Sequence, residues 1–155
     1  MAAFFQPILP MQPLSFSALP AVMRPLVNKF YRAHRSPMRA GADDQVWVAK
    51  HAEIVAALCL RPLVQESGFW LISLLVAPTH RQQQIASHLV TQACEYTPAP
   101  VWLFCHPDLA GFYTRLGFTQ ADNLPPSLAE RLQRYCRTKT LIAMRRDSQA
   151  LASAS

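Results

Sequence analysis

Residues 71–76, Leu71-Ile72-Ser73-Leu74-Leu75-Val76, form an apolar run that passes through Ala77-Pro78-Thr79-His80 into Arg81-Gln82-Gln83-Gln84-Ile85-Ala86. The run has the length of a strand and Pro78 ends it, while Ile85, Leu89, Val90 and Ala93 recur on one helical face. A strand that breaks into a helix start aims unpaired backbone N–H groups and the positive end of the helix dipole at one point. That is the chemistry of a phosphate cradle. Any strand–helix junction offers these groups, and the glycine that usually helps is missing here, so the junction alone names no ligand. A second chemical feature follows in Phe112-Tyr113-Thr114-Arg115-Leu116-Gly117-Phe118, where a phenol precedes a glycine placed to end a helix. Cys105 beside His106 invites a nucleophile or metal pair, but adjacent residues on a strand point to opposite faces.

The segment from Leu75 to Ala86 resembles the acyl-CoA-binding motif of the GNAT superfamily of N-acetyltransferases, Arg/Gln-x-x-Gly-x-Gly/Ala. Arg81 and Ala86 fit it, as does the lead-in of Val76 and Pro78, and Gln84 stands at the first glycine position. Tyr113-x-x-x-Gly117-Phe118 resembles the family's second motif, in the right order and at the right distance. The resemblance extends more loosely from about Met11 to Met144. It implies an α/β (α+β mixed sheet) fold: one domain with a mostly antiparallel sheet, splayed between its central parallel strands and flanked by helices. Acetyl-CoA would be the co-substrate, with no metal. The CoA contacts implied are Leu74, Leu75 and Val76 on the strand and Arg81, Gln82, Gln83, Gln84, Ile85, Ala86 and Ser87 at the helix start. His106 stands where many members have an asparagine.

In such a site a strand amide near Leu75 or Val76 polarises the thioester carbonyl and an acceptor amine attacks directly. Tyr113 matches the tyrosine that protonates the departing thiolate in many members; its other reading is a core aromatic beside Phe112 and Phe118. The glutamate that some members carry early in the following strand is replaced by Val101. Glu66 is therefore the first candidate for the general base, against a solvated loop carboxylate, with His80 and Glu53 behind it. Arg32, His34, Arg35 and Arg39 lie in or next to the loop that the resemblance places on the acceptor side, where they would select a carboxylate or phosphate; their other reading is a solvated loop. Gln84 also motivates a second function class, a CoA-binding regulatory or interaction module without catalysis.

Several elements must position these groups. Leu19, Val22, Met23, Leu26, Val27, Phe30 and Tyr31 recur at three- and four-residue spacing and predict a helix, with Pro25 marking its start or a kink. Residues 34–44 read as a loop, 46–50 and 53–60 as two antiparallel strands, and 69–76 as a third. Residues 101–104 give a strand bounded by Pro98, Pro100 and Pro107, so strand, helix, strand suggests a right-handed parallel crossover. Asp108 is placed to cap a helix through Leu116. Pro125 and Pro126 suit the start of another with Leu128, Leu132 and Tyr135 buried, and 140–144 the last strand.

The 155 residues suit one domain, and 51% hydrophobic against 15% charged is a globular rather than a disordered balance. We expect residues 1–10 to be a flexible segment, 11–146 the domain, and 147–155 a disordered tail. No apolar run approaches the roughly 20 residues of a membrane span, and 1–10 lack the positive residues of a signal peptide, which points to the cytoplasm. Four dispersed cysteines without a C-x-x-C pair fit free thiols rather than disulfides or a zinc knuckle. The net charge of +6 permits phosphate or acidic partners, but no basic arm resembles a nucleic-acid site. The partner implied is an amine acceptor, small molecule or peptide; neither its identity nor the oligomeric state is readable.

Overall fold

A computed structural model describes residues 13–81 and 84–148. Its strands are β1 (Ser15–Leu19), β2 (Gln45–Lys50), β3 (Ile54–Pro62), β4 (Phe69–Val76), β5 (Val101–Cys105), β6 (Thr119–Gln120) and β7 (Ile142–Arg146). The helices are α1 (Arg24–Ala33), α2 (Ile85–Glu95), α3 (Ala110–Arg115) and α4 (Pro126–Tyr135). The strands form one mixed sheet in the order β1-β2-β3-β4-β5-β7-β6, in which β4 and β5 are the parallel pair. The α/β architecture with a sheet splayed at its parallel centre is the one expected.

The central strands are apolar on both faces because both faces are covered. In β2, Val46 and Val48 pack with Val27, Phe30 and Tyr31 of α1, whereas Trp47 and Ala49 pack with Leu89, Val90 and Ala93 of α2. A strand clad on both sides reads as a continuous apolar run rather than an alternating one. On the other wing, Trp70, Trp102 and Leu128 form a third cluster beneath α4.

The N-terminal part departs from expectation. Leu19 closes the edge strand β1, buried against β2, instead of opening the helical stripe. Helix α1 begins at Arg24 with Pro25 in its first turn and buries Val27, Phe30 and Tyr31, while Val22 and Leu26 face outward. Strand β1 escapes a pattern reading because Ser15, Ser17 and Ala18 have little strand propensity and it is an exposed edge. Strand β6 is only two residues long, and β7 lies two residues later than expected. Order also persists past Arg146, since Asp147 pairs with Arg145 at 2.8 Å and Ser148 is buried. The flexible segment expected at 1–10 and the rest of the expected tail, 149–155, lie outside the described residues.

Gly68 sets where β4 begins. Its φ is +129°, and a Cβ there would come within 2.4 Å of the Trp102 ring and 2.9 Å of the Pro100 carbonyl oxygen. Gly68→Ala combines backbone strain with overpacking against an indole that is itself buried, so we expect a loss of roughly 2–4 kcal/mol in denaturant unfolding. An unchanged midpoint would refute this close approach.

Candidate active site

Two residues of β4 face one residue of β3. Ala57 pairs with Leu75 and Cys59 with Ile72, so Ser73 and Leu74 together oppose Leu58. This β-bulge has Ser73 in the left-handed region at φ +60°, a conformation that costs a side-chain-bearing residue about 1–2 kcal/mol. Tyr31, fully buried on α1, donates its hydroxyl to the Ser73 carbonyl at 2.7 Å, with the Cys59 sulfur 3.7 Å behind it. Burial, with Cys59 adding to it, pushes the Tyr31 phenol far above its ordinary range, so it stays a donor. The bulge redirects β4. The parallel pairing with β5 holds only at Phe69↔Val101 and Trp70↔Trp102, and beyond it the two strands part.

A cavity of about 600 Å³ lies on the α2 and α3 side of that split, lined by Val76, His80, Arg81, Gln84, Ile85, Ala86, Ser87, Phe112, Arg115 and Leu116. Its floor is the start of α2. Gln84 is the N-cap residue, in the left-handed region at φ +59° and ψ +19°. That backbone is the reason a glycine belongs at this position, and Gln84 adopts it at a cost of about 1 kcal/mol. Among the described residues no side chain caps the helix and no acid occupies its first turn, so its first amides and dipole end face the cavity open to an anion. Arg81 folds its Nε onto the Val76 carbonyl at 3.1 Å, which holds its guanidinium at the cavity wall. Arg115 supplies a second cation from α3. Sequence reasoning missed it although it lies inside the second motif, because its side-chain direction depends on how α3 docks.

A second cavity of about 300 Å³ opens in the split toward α4, lined by Trp70 to Leu74, Leu103, Phe104, Tyr113, Tyr135, Lys139 and Leu141. Tyr113 reaches it from α3 while its neighbour Phe112 lines the first cavity, so α3 stands where the two meet. The second motif fixes this helix end mechanically. The N–H of Phe118 donates to the Tyr113 carbonyl at 3.1 Å and that of Gly117 to Thr114 at 3.1 Å, the paired bonds of a Schellman turn with Gly117 at φ +95°. Phe118 is fully buried and meets the Tyr113 ring edge-on at 5.8 Å, so glycine and phenylalanine both serve to hold the tyrosine in place. Burial, with a smaller contribution from Cys105, pushes the Tyr113 phenol up to about 12. Burial also raises the Cys105 thiol, which keeps it protonated and unlike a nucleophile.

The remaining expected site residues divide clearly. Leu74 and Val76 line the cavities, whereas Leu75 turns to the α1 side and packs with that cluster. Glu66 is exposed on the loop before β4, lines neither cavity and stands at the opposite end of β4 from Val76, a strand length of roughly 25 Å away. Glu53 lies on the β2–β3 turn away from both cavities, and His80 lines the first one. His106 lines neither; its Nδ1 accepts the Asp108 N–H at 3.1 Å, so His106 rather than Asp108 caps the turn that leads into α3. Arg32, His34, Arg35 and Arg39 are exposed and none lines the split. Gln82 and Gln83 lie outside the described residues. Among the described residues no group of three or more metal-ligating side chains gathers, and no helix is long and apolar enough to cross a membrane.

The sequence profile of the acetyltransferase (GNAT) domain matches residues 42–120, from the turn before β2 to the end of β6. The chain belongs to the GNAT acetyltransferase family. The profile spans the bulged strand, every residue lining the first cavity and the Tyr113 turn, so membership in this family of acyl-CoA N-acyltransferases rests on the region that builds that cavity. Solved GNAT-type structures share the fold at low identity. ElaA of Escherichia coli is 14% identical with a TM-score of 0.63, over 87% of this chain and all of that one. An acyl-CoA N-acyltransferase of Pseudomonas aeruginosa is 18% identical with a TM-score of 0.59, over 86% and 99%. Naa50 of Arabidopsis thaliana, solved with the bisubstrate analogue CoA-Ac-MVNAL, is 16% identical with a TM-score of 0.61, over 86% and 98%. No curated protein sequence matches this GNAT chain.

Two substitutions test the geometry. Gln84→Gly should raise stability by roughly 0.5–1 kcal/mol by removing the left-handed strain, whereas a loss would contradict that backbone. Tyr31→Phe should cost roughly 1–3 kcal/mol, because the Ser73 carbonyl loses its buried donor. Thermal melting reads both.

Proposed function

We propose that the chain moves an acetyl group from acetyl-CoA to a primary amine by direct attack within a ternary complex. The observation that carries this reading is the uncapped, left-handed entry to α2 at the floor of a cavity with an arginine on each side. These groups fit the pyrophosphate of CoA: the first amides of α2 would hold its oxygens, and Arg81 and Arg115 would balance its charge. Leu74 and Val76, on the free edge of β4, would flank the pantetheine arm. Naa50, of like fold, is described with an analogue that joins CoA to a peptide, which supports two ligands meeting in one split.

Bound acetyl-CoA supplies a thioester-activated acetyl group; overall an N–C bond forms, a C–S bond breaks and one proton passes from amine to thiolate. This chain's residues orient and protonate. Backbone amides on the unpaired edge of β4 beyond Trp70 are held ready to donate to the oxygen on which negative charge develops. Tyr113 would donate the proton, for which its raised pKa keeps it charged with one at every ordinary pH. No carboxylate is among the described residues lining either cavity, so the acceptor would arrive as the free amine, its proton lost to water. That same lack favours a second reading, a CoA-binding module without transfer. We place the protein in the cytoplasm, where its four free thiols, three of them buried, are chemically at home.

Thermal-shift titration with CoA and acetyl-CoA, followed by thiol release against an amine panel, tests the proposal. We expect both ligands to raise the melting temperature, and no shift at millimolar ligand would refute it. A shift without release for any amine selects the second reading. Tyr113→Phe should lower kcat about 10²-fold or more with little change in CoA affinity. The rate should climb from pH 7 to 9 with the free-amine fraction, and any loss through Tyr113 ionisation should come near pH 12 rather than 10. A fall centred at 10 would remove Tyr113 as the acid.

A further inference from the structure

The cavity on the α4 side of the split has a chemistry of its own. Its wall is aromatic: Trp70 and Phe104 lie 5.4 Å apart between ring centroids, and Phe104 meets Tyr135 edge-on at 6.2 Å. Aromatic walls often receive cationic ligands, but here the protein's own cations already stand over the rings. The Arg131 guanidinium lies 4.9 Å from the Trp70 centroid and the Lys139 ammonium 5.4 Å from that of Tyr135. Lys139 is the one charged side chain among the described lining residues. A polycationic amine would find like charge and no carboxylate.

The free polar groups point the same way. Trp70 is only 6% exposed, and its indole N–H has no hydrogen-bond partner among the described residues. A buried donor left without an acceptor costs about 1–3 kcal/mol, a cost that a ligand oxygen would remove once the ring turns to present its N–H to the cavity. Trp70 Nε1, the Lys139 ammonium and the Tyr113 hydroxyl can all donate, so the complementary molecule accepts hydrogen bonds and carries negative charge. The volume of about 300 Å³ is at the small end of ligand sites and suits a single ring or branched side chain.

We infer that the acceptor is a small amine with an apolar, ring-sized body and a free carboxylate, an amino acid of aromatic or bulky apolar type, held by Lys139 and the Trp70 indole N–H. This inference rests on the acyl-transfer reading for the identity of the co-substrate, but the binding of such a molecule does not require turnover. Polyamines and peptide N-termini are disfavoured, the first by charge and the second because a peptide bond replaces the carboxylate.

The test compares L-phenylalanine, L-phenylalaninamide, phenethylamine and spermidine on the full chain saturated with CoA. Calorimetry should detect phenylalanine at least about tenfold more tightly than the other three, the value of one charge-assisted contact. In thiol release with acetyl-CoA the same order should appear in kcat/KM. Lys139→Gln should raise the KM for phenylalanine about tenfold and leave that for phenethylamine unchanged, and Trp70→Phe, which keeps an aromatic ring but loses the donor together with part of the indole's buried volume, should act in the same direction. Spermidine, phenethylamine or the amide binding as well as phenylalanine would overturn the inference, as would a Lys139→Gln variant that binds all four as wild type does. Selective phenylalanine binding without thiol release would support the ligand class while refuting acyl transfer.

Discussion

A sheet in which two neighbouring strands pair for two residues and then separate would ordinarily lose backbone hydrogen bonds at its centre for no return. Here the separation is imposed at Ser73 and Leu74, which share a single partner in β3, and it is held by the hydrogen bond from Tyr31 to the Ser73 carbonyl. That bond joins α1 to the strand across the α1-side core, and Cys59 behind it completes a small polar chain in apolar surroundings. Because the side-chain period of a strand is two, one extra residue also resets which way β4 faces. Leu74 and Val76 come to the cavities and Leu75 to the core, so the same defect opens the site and lines it.

Of the four left-handed residues with side chains among those described, Arg35 and Gln65 lie on loops away from the split and two stand where ligands are expected. Ser73 and Gln84 are both left-handed residues with side chains, each at a cost of about 1–2 kcal/mol, and they border opposite cavities that meet at α3. Such positions persist only when their surroundings over-determine them. For Ser73 the surroundings are Tyr31 and the doubly covered strands β2 and β3; for Gln84 they are the buried residues Ile85, Leu89 and Val90 that anchor α2 to the sheet. Away from the split, Asp44 shows the same economy of buried polarity. Although burial pushes its carboxyl up, two hydrogen bonds from Arg61 and one from Gly41 outweigh it and hold the group below its usual range.

Much of this arrangement was legible in the residues because it is local. The run from Leu71 to Ala86 and the Tyr113 to Phe118 turn are contiguous segments, and their chemistry follows from dihedral requirements that neighbours satisfy: Gly117 takes the left-handed position and Phe118 buries beside Tyr113. What escaped reading depends on docking. Arg115 and Lys139 become site residues only through where α3 and the chain after α4 come to rest, and Tyr31 read as an ordinary member of a helical stripe although its hydroxyl is committed to a strand 42 positions away. Glu66 lines neither cavity for the reciprocal reason. It is near β4 in sequence, but at the end of the strand where the sheet is still closed.

Hydrogen exchange measured segment by segment, with and without CoA, tests the central claim most directly, because the claim concerns particular amides. The account requires saturating CoA to slow exchange across residues 76–89, most strongly at the amides of Ile85, Ala86 and Ser87 that open α2 without a cap. Protection confined to other parts of the chain, with these amides exchanging as fast as in the free protein, would contradict it.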